Sequence, residues 1–275
     1  MTGSGQTAKR APRVATAVVV AASACLLSAC GVKQEAVKVP TARPFSVTLG
    51  GTPNAFDGAL YSAVAHGQLH AAGLSVTVLQ APGSTQALQA LAAQTTDMAV
   101  VDQSQLLLAR DQGLRLVSIA ALGEQPLGAQ LQHAGSAAEA SEAALAKRAG
   151  GSGIPATEDV VLAVRVRQAE DEGENLRAFM QALTEASAEV RTNPAQAAAL
   201  VVAAAHIRHP HAQSQAITRA LSAIPAPTSA APYGYQAGIG WEAFARWMYV
   251  AGLLHTDPTS LSQPYTDEYL AGQGV

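Results

Sequence analysis

Charge is scarce in this chain of 275 residues: Asp, Glu, Lys and Arg make up 13% of it, about half the usual share of a soluble protein. Ion-pair networks are therefore excluded as its main source of stability, and its surface has to be neutral and polar. Seventeen basic residues against twenty acidic ones give a formal charge of −3. That leaves no basic footprint for DNA or RNA, so no nucleic-acid partner is expected. Aromatics amount to 4% with two Trp. Cysteine is limited to Cys25 and Cys30, and neither a Gly-x-Ser-x-Gly elbow nor a His-Glu-x-x-His helix occurs. Nucleophilic and zinc-hydrolytic chemistry lose their usual residues, so the chain is not read as an enzyme and no cofactor or metal is expected. What it has is apolar material, 49% hydrophobic. That is enough for a substantial core and excludes global disorder.

The first thirty residues are set apart from the fold. Lys9, Arg10 and Arg13 precede an apolar run from Val14 to Leu27 that is too short for a comfortable permanent span, the layout of a signal peptide at residues 1–29. The run closes on Leu27-Ser28-Ala29-Cys30, which resembles the lipobox of bacterial lipoproteins. The resemblance implies cleavage before Cys30, a diacylglycerol thioether on its sulfur, and a membrane anchor facing the periplasm or cell exterior. Two acyl chains hold stably where one does not. Cleavage would remove Cys25, leaving no intramolecular disulfide, and three positive charges, taking the formal −3 to −6. Residues 30–44, ending at Pro40 and Pro44, serve as a lipidated tether.

From Phe45 strand and helix signals alternate: strand Phe45–Leu49, helix Asp57–His70, strand Leu74–Leu79, helix Ser84–Ala93, strand Met98–Val101, helix Asp102–Gln112, strand Leu114–Leu122. The nearly continuous apolar strands fit a mainly parallel sheet covered by helices on both faces. In such α/β sheets ligands sit beyond the carboxyl ends of the strands, at helix N-termini. Three segments meet there: Gly51–Asp57 with Thr52, Asn54 and Asp57; Pro82–Thr85 with Gly83, Ser84 and Thr85; and Asp102, Gln103 and Ser104. Ser84 and Asp102 have a second reading as plain helix caps, and Tyr61 one as a core residue on its helix.

Residues 45–122, through Thr52-Pro53-Asn54, Gly58-Ala59-Leu60-Tyr61, Gly67, Ala72-Gly73-Leu74, Gly83-Ser84, Gln86-Ala87-Leu88, Asp97-Met98-Ala99 and Gly113, resemble the substrate-binding proteins of bacterial ABC importers. The subgroup takes up thiamine-type pyrimidine precursors, sulfonates, taurine and nitrate. Asp159–Gln168 is similar to the strand that returns to the first lobe, and Leu176–Ala188 with Asn193-Pro194 to the helices after it. Trp241–Leu254 and Tyr265–Leu270 are similar to the closing segment. The resemblance implies a type II periplasmic-binding fold, noncovalent capture of a small solute, a membrane permease as partner, and action as a monomer. Residues 45–122 and 159–275 form lobe one. The second lobe falls to residues 123–158, 36 residues dominated by Ala, Gly, Ser and Glu, well short of the roughly 50 a domain needs. It is expected as a remnant, and Gly150-Gly151-Ser152-Gly153 as linker.

Two departures lie in the best-matched stretch. Where relatives that grip a flat pyrimidine carry an aromatic and a histidine, this chain has Gly51 and Asp57. Asp57 would repel an anionic group, so a cationic or neutral ligand fits better. A related fold performs pyrimidine synthesis with a cysteine-rich loop, which has no counterpart here. His206, His209 and His211 are separated by Pro210 and do not make a converging metal site. Asp171, Glu172 and Glu174 open a helix and favour its dipole. Trp241, Phe244, Met248 and Ala251 mark the packed face of a helix. The alternative to transport is a degenerate single-lobe lipoprotein with a sensing or protein-interaction role.

Overall fold

A computed structural model describes residues 42–123, 155, 160–205, 210–260 and 262–273. The signal peptide, Cys30 and most of the tether lie outside the described residues, as do nearly all of 123–158 with its Gly150–Gly153 run, and His206 and His209.

Strand β1 (Arg43–Leu49) buries Phe45, Val47 and Leu49 on one face. Its other face carries Ser46 and Thr48, which bond Asp97 and Thr96 on the approach to β3. A 3-10 turn (Ala55–Asp57) leads into α1 (Gly58–Ala65). The single helix expected over 57–70 is in fact broken: Gly67, at φ +74°, takes the left-handed conformation that glycine tolerates, and α2 (Gln68–Ala71) starts afresh. Then follow β2 (Leu74–Gln80), α3 (Ser84–Ala92), β3 (Met98–Asp102), α4 (Gln103–Asp111) and β4 (Leu116–Ala121). Beyond residue 159 come β5 (Val160–Arg165), α5 (Val166–Asp171), α6 (Gly173–Thr192), α7 (Pro194–Ala204), α8 (Pro210–Ala223) and α9 (Gly238–Val250). The region expected as one returning strand is thus strand for six residues and helix after Arg165.

The five strands are ordered β2-β1-β3-β5-β4. β1 runs parallel to β2 and β3, while β5 is antiparallel to both neighbours. Four strands therefore share one direction, and β4 is reached from β3 only across the returning β5. Alternation sorts the side chains. Val100, Leu162 and Val164 face a core made with α1, α6 and α7, where Phe45 and Phe179 pack at a ring separation of 5.5 Å. Val101, Val161 and Ala163 face α3, α4 and α9, including Trp241, Phe244 and Met248, all buried as expected. Glu174 sits in the first turn of α6 as its dipole favours, whereas Glu172 grips the Arg43 guanidinium with both oxygens, at 2.6 and 2.8 Å. His211 lies exposed on α8.

Candidate functional site

At the carboxyl ends of β1 and β3 the structure forms a cavity of about 30 Å³ lined by Leu49, Gly50, Gly51, Thr52, Asn54, Asp57, Ser84, Val100, Val101, Asp102 and Val160. Five residues expected at this edge converge on it: Thr52, Asn54, Asp57, Ser84 and Asp102. Gly83, Thr85, Gln103, Ser104 and Tyr61 do not line it. Thr85 bonds Gln105 at the surface, while Gln103 and Ser104 are buried. Tyr61 packs half-buried against the core.

Local bonding explains why the cavity is narrow and how its carboxylates are held. Gly50 lets two elements touch: a Cβ there would fall 2.7 Å from Ser84 Oγ, 2.8 Å from Ser84 Cα and 2.9 Å from the Val100 carbonyl. Ser84 Oγ accepts from the Asp102 amide and donates to Asp102 Oδ2, both at 3.1 Å. Neither side chain caps its own helix. The cap is elsewhere: Asn54 Oδ1 accepts from the Phe56 amide at 2.9 Å and Asp57 Oδ2 accepts from the Asn54 amide at 2.8 Å, a reciprocal box at the start of the 3-10 turn. Asn54 Nδ2, Asp57 Oδ1 and Asp102 Oδ1 have no hydrogen-bond partner among the described residues.

Electrostatically the site is acidic. Asp57 is 3% exposed, and desolvation pushes its carboxyl up to about 7 against the pull of the Asn54 amide. Burial likewise raises Asp102 to about 6, with the Ser84 hydroxyl opposing. Among the described residues no Lys, Arg or His lines the cavity, and neither carboxylate belongs to an ion pair. Tyr61 is raised to about 12 and Tyr233 is raised too, in each case by burial first and then by the charge of Asp57. Tyr233 comes from the connection between α8 and α9, and the sequence reading did not single it out. Its only signal was an aromatic in a Pro- and Gly-rich loop.

A larger hollow of about 740 Å³ lies between α4, α9 and the C-terminal segment. It is lined by Trp241 stacked on Tyr265 and by Arg110, which is bonded to the Leu116 and Ser262 carbonyls. It shares no residue with the sheet-edge cavity.

Comparison with known proteins agrees with this architecture. Residues 56–164 match the family described as NMT1/THI5 like. Among solved structures, a protein of Bordetella bronchiseptica RB50 superposes with a TM-score of 0.65 at 15% identity, over 82% of this chain and 95% of that one. A Candida albicans gene product, described as having the generic periplasmic binding protein structural fold, gives 0.61 at 12% identity over 84% and 99%. The alkanesulfonate-binding protein SsuA of Xanthomonas axonopodis, bound to MOPS, gives 0.53 at 16% over 78% and 94%. No curated protein matches the sequence. The chain has the periplasmic-binding-protein fold, and the expected likeness to substrate-binding proteins of this type holds.

Proposed function

We propose that this chain is the solute-binding component of an ABC importer, anchored to the membrane through a lipid on Cys30. It captures a small organic solute without covalent chemistry and presents it to a membrane permease as a monomer. The observation that supports this most directly is the convergence of Thr52, Asn54, Asp57, Ser84 and Asp102 on one cavity at the carboxyl edge of the sheet, the place where α/β sheets bind ligands. The truncated second lobe is assigned to residues 123–158, most of which lie outside the described residues. Val160, where the described chain resumes after that interval, lines the cavity.

One observation favours a second reading, a single-lobe lipoprotein used for sensing or protein interaction. A cavity of about 30 Å³ is far below the roughly 300 Å³ at which small-molecule pockets begin. Thermal unfolding of the full chain in detergent separates the two. The panel comprises pyrimidine precursors of thiamine, aliphatic sulfonates, taurine, nitrate and amines. Capture predicts a raised Tm with at least one compound, since a ligand that binds only the folded state stabilises it. If nothing raises the Tm while the Escherichia coli sulfonate-binding SsuA responds in the same panel, the second reading takes its place.

A further inference from the structure

Resting on the capture reading, we infer that the solute is held by a protonated amine: its ammonium group enters the sheet-edge cavity and donates to the free oxygens of Asp57 and Asp102. Size is the first argument. A space of about 30 Å³ exceeds the ~10–15 Å³ that admits a water, so it accepts one compact head group and leaves the remainder of the solute outside. The tetrahedral –NH3⁺ group is about the size of a water and carries three donors, whereas a sulfonate brings three oxygens on a larger sulfur centre.

Hydrogen-bond chemistry is the second argument. Asp57 is 3% exposed and lines the cavity, yet only its Oδ2 is engaged, by the Asn54 amide. Its Oδ1 has no partner among the described residues. That oxygen keeps its lone pairs available for a donor that arrives with the ligand. Asp102, only partly buried, likewise has Oδ2 engaged by Ser84 and no partner for Oδ1 among the described residues.

Charge is the third. Among the described residues the lining contains two carboxylates and no basic side chain, so an anionic head would be desolvated against like charge while a cation meets two acceptors. At the rim, the unbonded Asn54 Nδ2 and the exposed Thr52 supply donors for an acceptor, such as a hydroxyl, a few bonds from the amine.

Three compounds with the same hydroxyethyl body test the inference on the full chain: ethanolamine hydrochloride, sodium isethionate and ethylene glycol, at matched ionic strength, read by thermal shift and calorimetric titration. Ethanolamine should raise the Tm and the other two should not. Asp57→Asn keeps an acceptor for the Asn54 amide but removes the charge, and should weaken ethanolamine about tenfold or more. Asp102→Asn, which keeps an acceptor for Ser84, should act in the same direction and serves if the first variant fails to fold. A shift with isethionate, or ethanolamine affinity unchanged in the folded variants, overturns the amine assignment. So does a wild-type chain that ignores ethanolamine. The capture reading then stands if any compound of the wider panel binds, and falls with the amine assignment only if none does.

Discussion

Replacing Asp57 by Asn should make the protein more stable at pH 8 and leave it unchanged near pH 4. Asp57 is 3% exposed, and burial lifts its carboxyl from 3.8 to about 7. Between those two values the folded chain keeps a proton that the unfolded chain has released, so stability falls as pH rises from about 4 to about 7 and levels off above. Three units at ~1.4 kcal/mol each amount to about 4 kcal/mol, the upper end of what the variant can recover, because Asn is uncharged, similar in shape and still able to accept from the Asn54 amide. For a folded region of this size that corresponds to a Tm gain of roughly 10 °C at pH 8. Asp102, raised to about 6, adds a slope of the same sign, so the variant retains a weaker pH dependence. Circular-dichroism melts at pH 4, 6 and 8 read the effect directly. A wild-type stability that rises from pH 5 to 8, or a variant no more stable than wild type at pH 8, would mean that Asp57 is ionised beside a cation in the unliganded protein. That outcome refutes the reasoning.

Four further outcomes follow from the same geometry. Gly50→Ala drives a methyl group onto Ser84 and the Val100 carbonyl, with separations of 2.7–2.9 Å; denaturant titration should show a loss of about 1–3 kcal/mol. Phe179→Ala removes a ring that is 0% exposed and packed on Phe45, and should cost about 3–5 kcal/mol in the same assay. Cys30→Ser should leave an unprocessed precursor that takes up no labelled palmitate, and normal processing would remove the lipid anchor from the proposal. Ethanolamine binding should tighten from pH 5.5 to 8 and release roughly half a proton from Asp57 at pH 7, because cation and proton compete for a carboxyl whose pKa is about 7. Titration in two buffers of different ionisation heat measures this, and proton uptake or a flat profile contradicts it.

The features legible in the sequence are those encoded over short distances, and the site shows where that stops. Alternation in Phe45–Leu49 and the apolar runs Met98–Val101 and Leu114–Leu122 located three strands of the sheet, because burial on one or both faces imposes those patterns directly. Spatial order imposes none: that β5 inserts antiparallel between β3 and β4 depends on where the chain returns after the 38 residues between Ala121 and Val160, and only the family resemblance pointed to a returning strand at all. The break at Gly67 was hidden because a lone glycine in a helical pattern is usually tolerated. At the site, the spacing Asn54-x-x-Asp57 is a capping signature readable in advance, while the position at the sheet edge points equally to ligand contact. Ser84 and Asp102 stand where caps are usual and instead bond each other across 18 positions. The two roles of Asp57 are compatible because a carboxylate has two oxygens. One is used by the Asn54 amide to start the turn, which fixes the side chain in place, and the other has no partner among the described residues, in a cavity too small for anything but a head group. An asparagine would serve the cap equally well at lower desolvation cost, so the cap alone gives no physical reason for a charge at this position. A cationic ligand gives one.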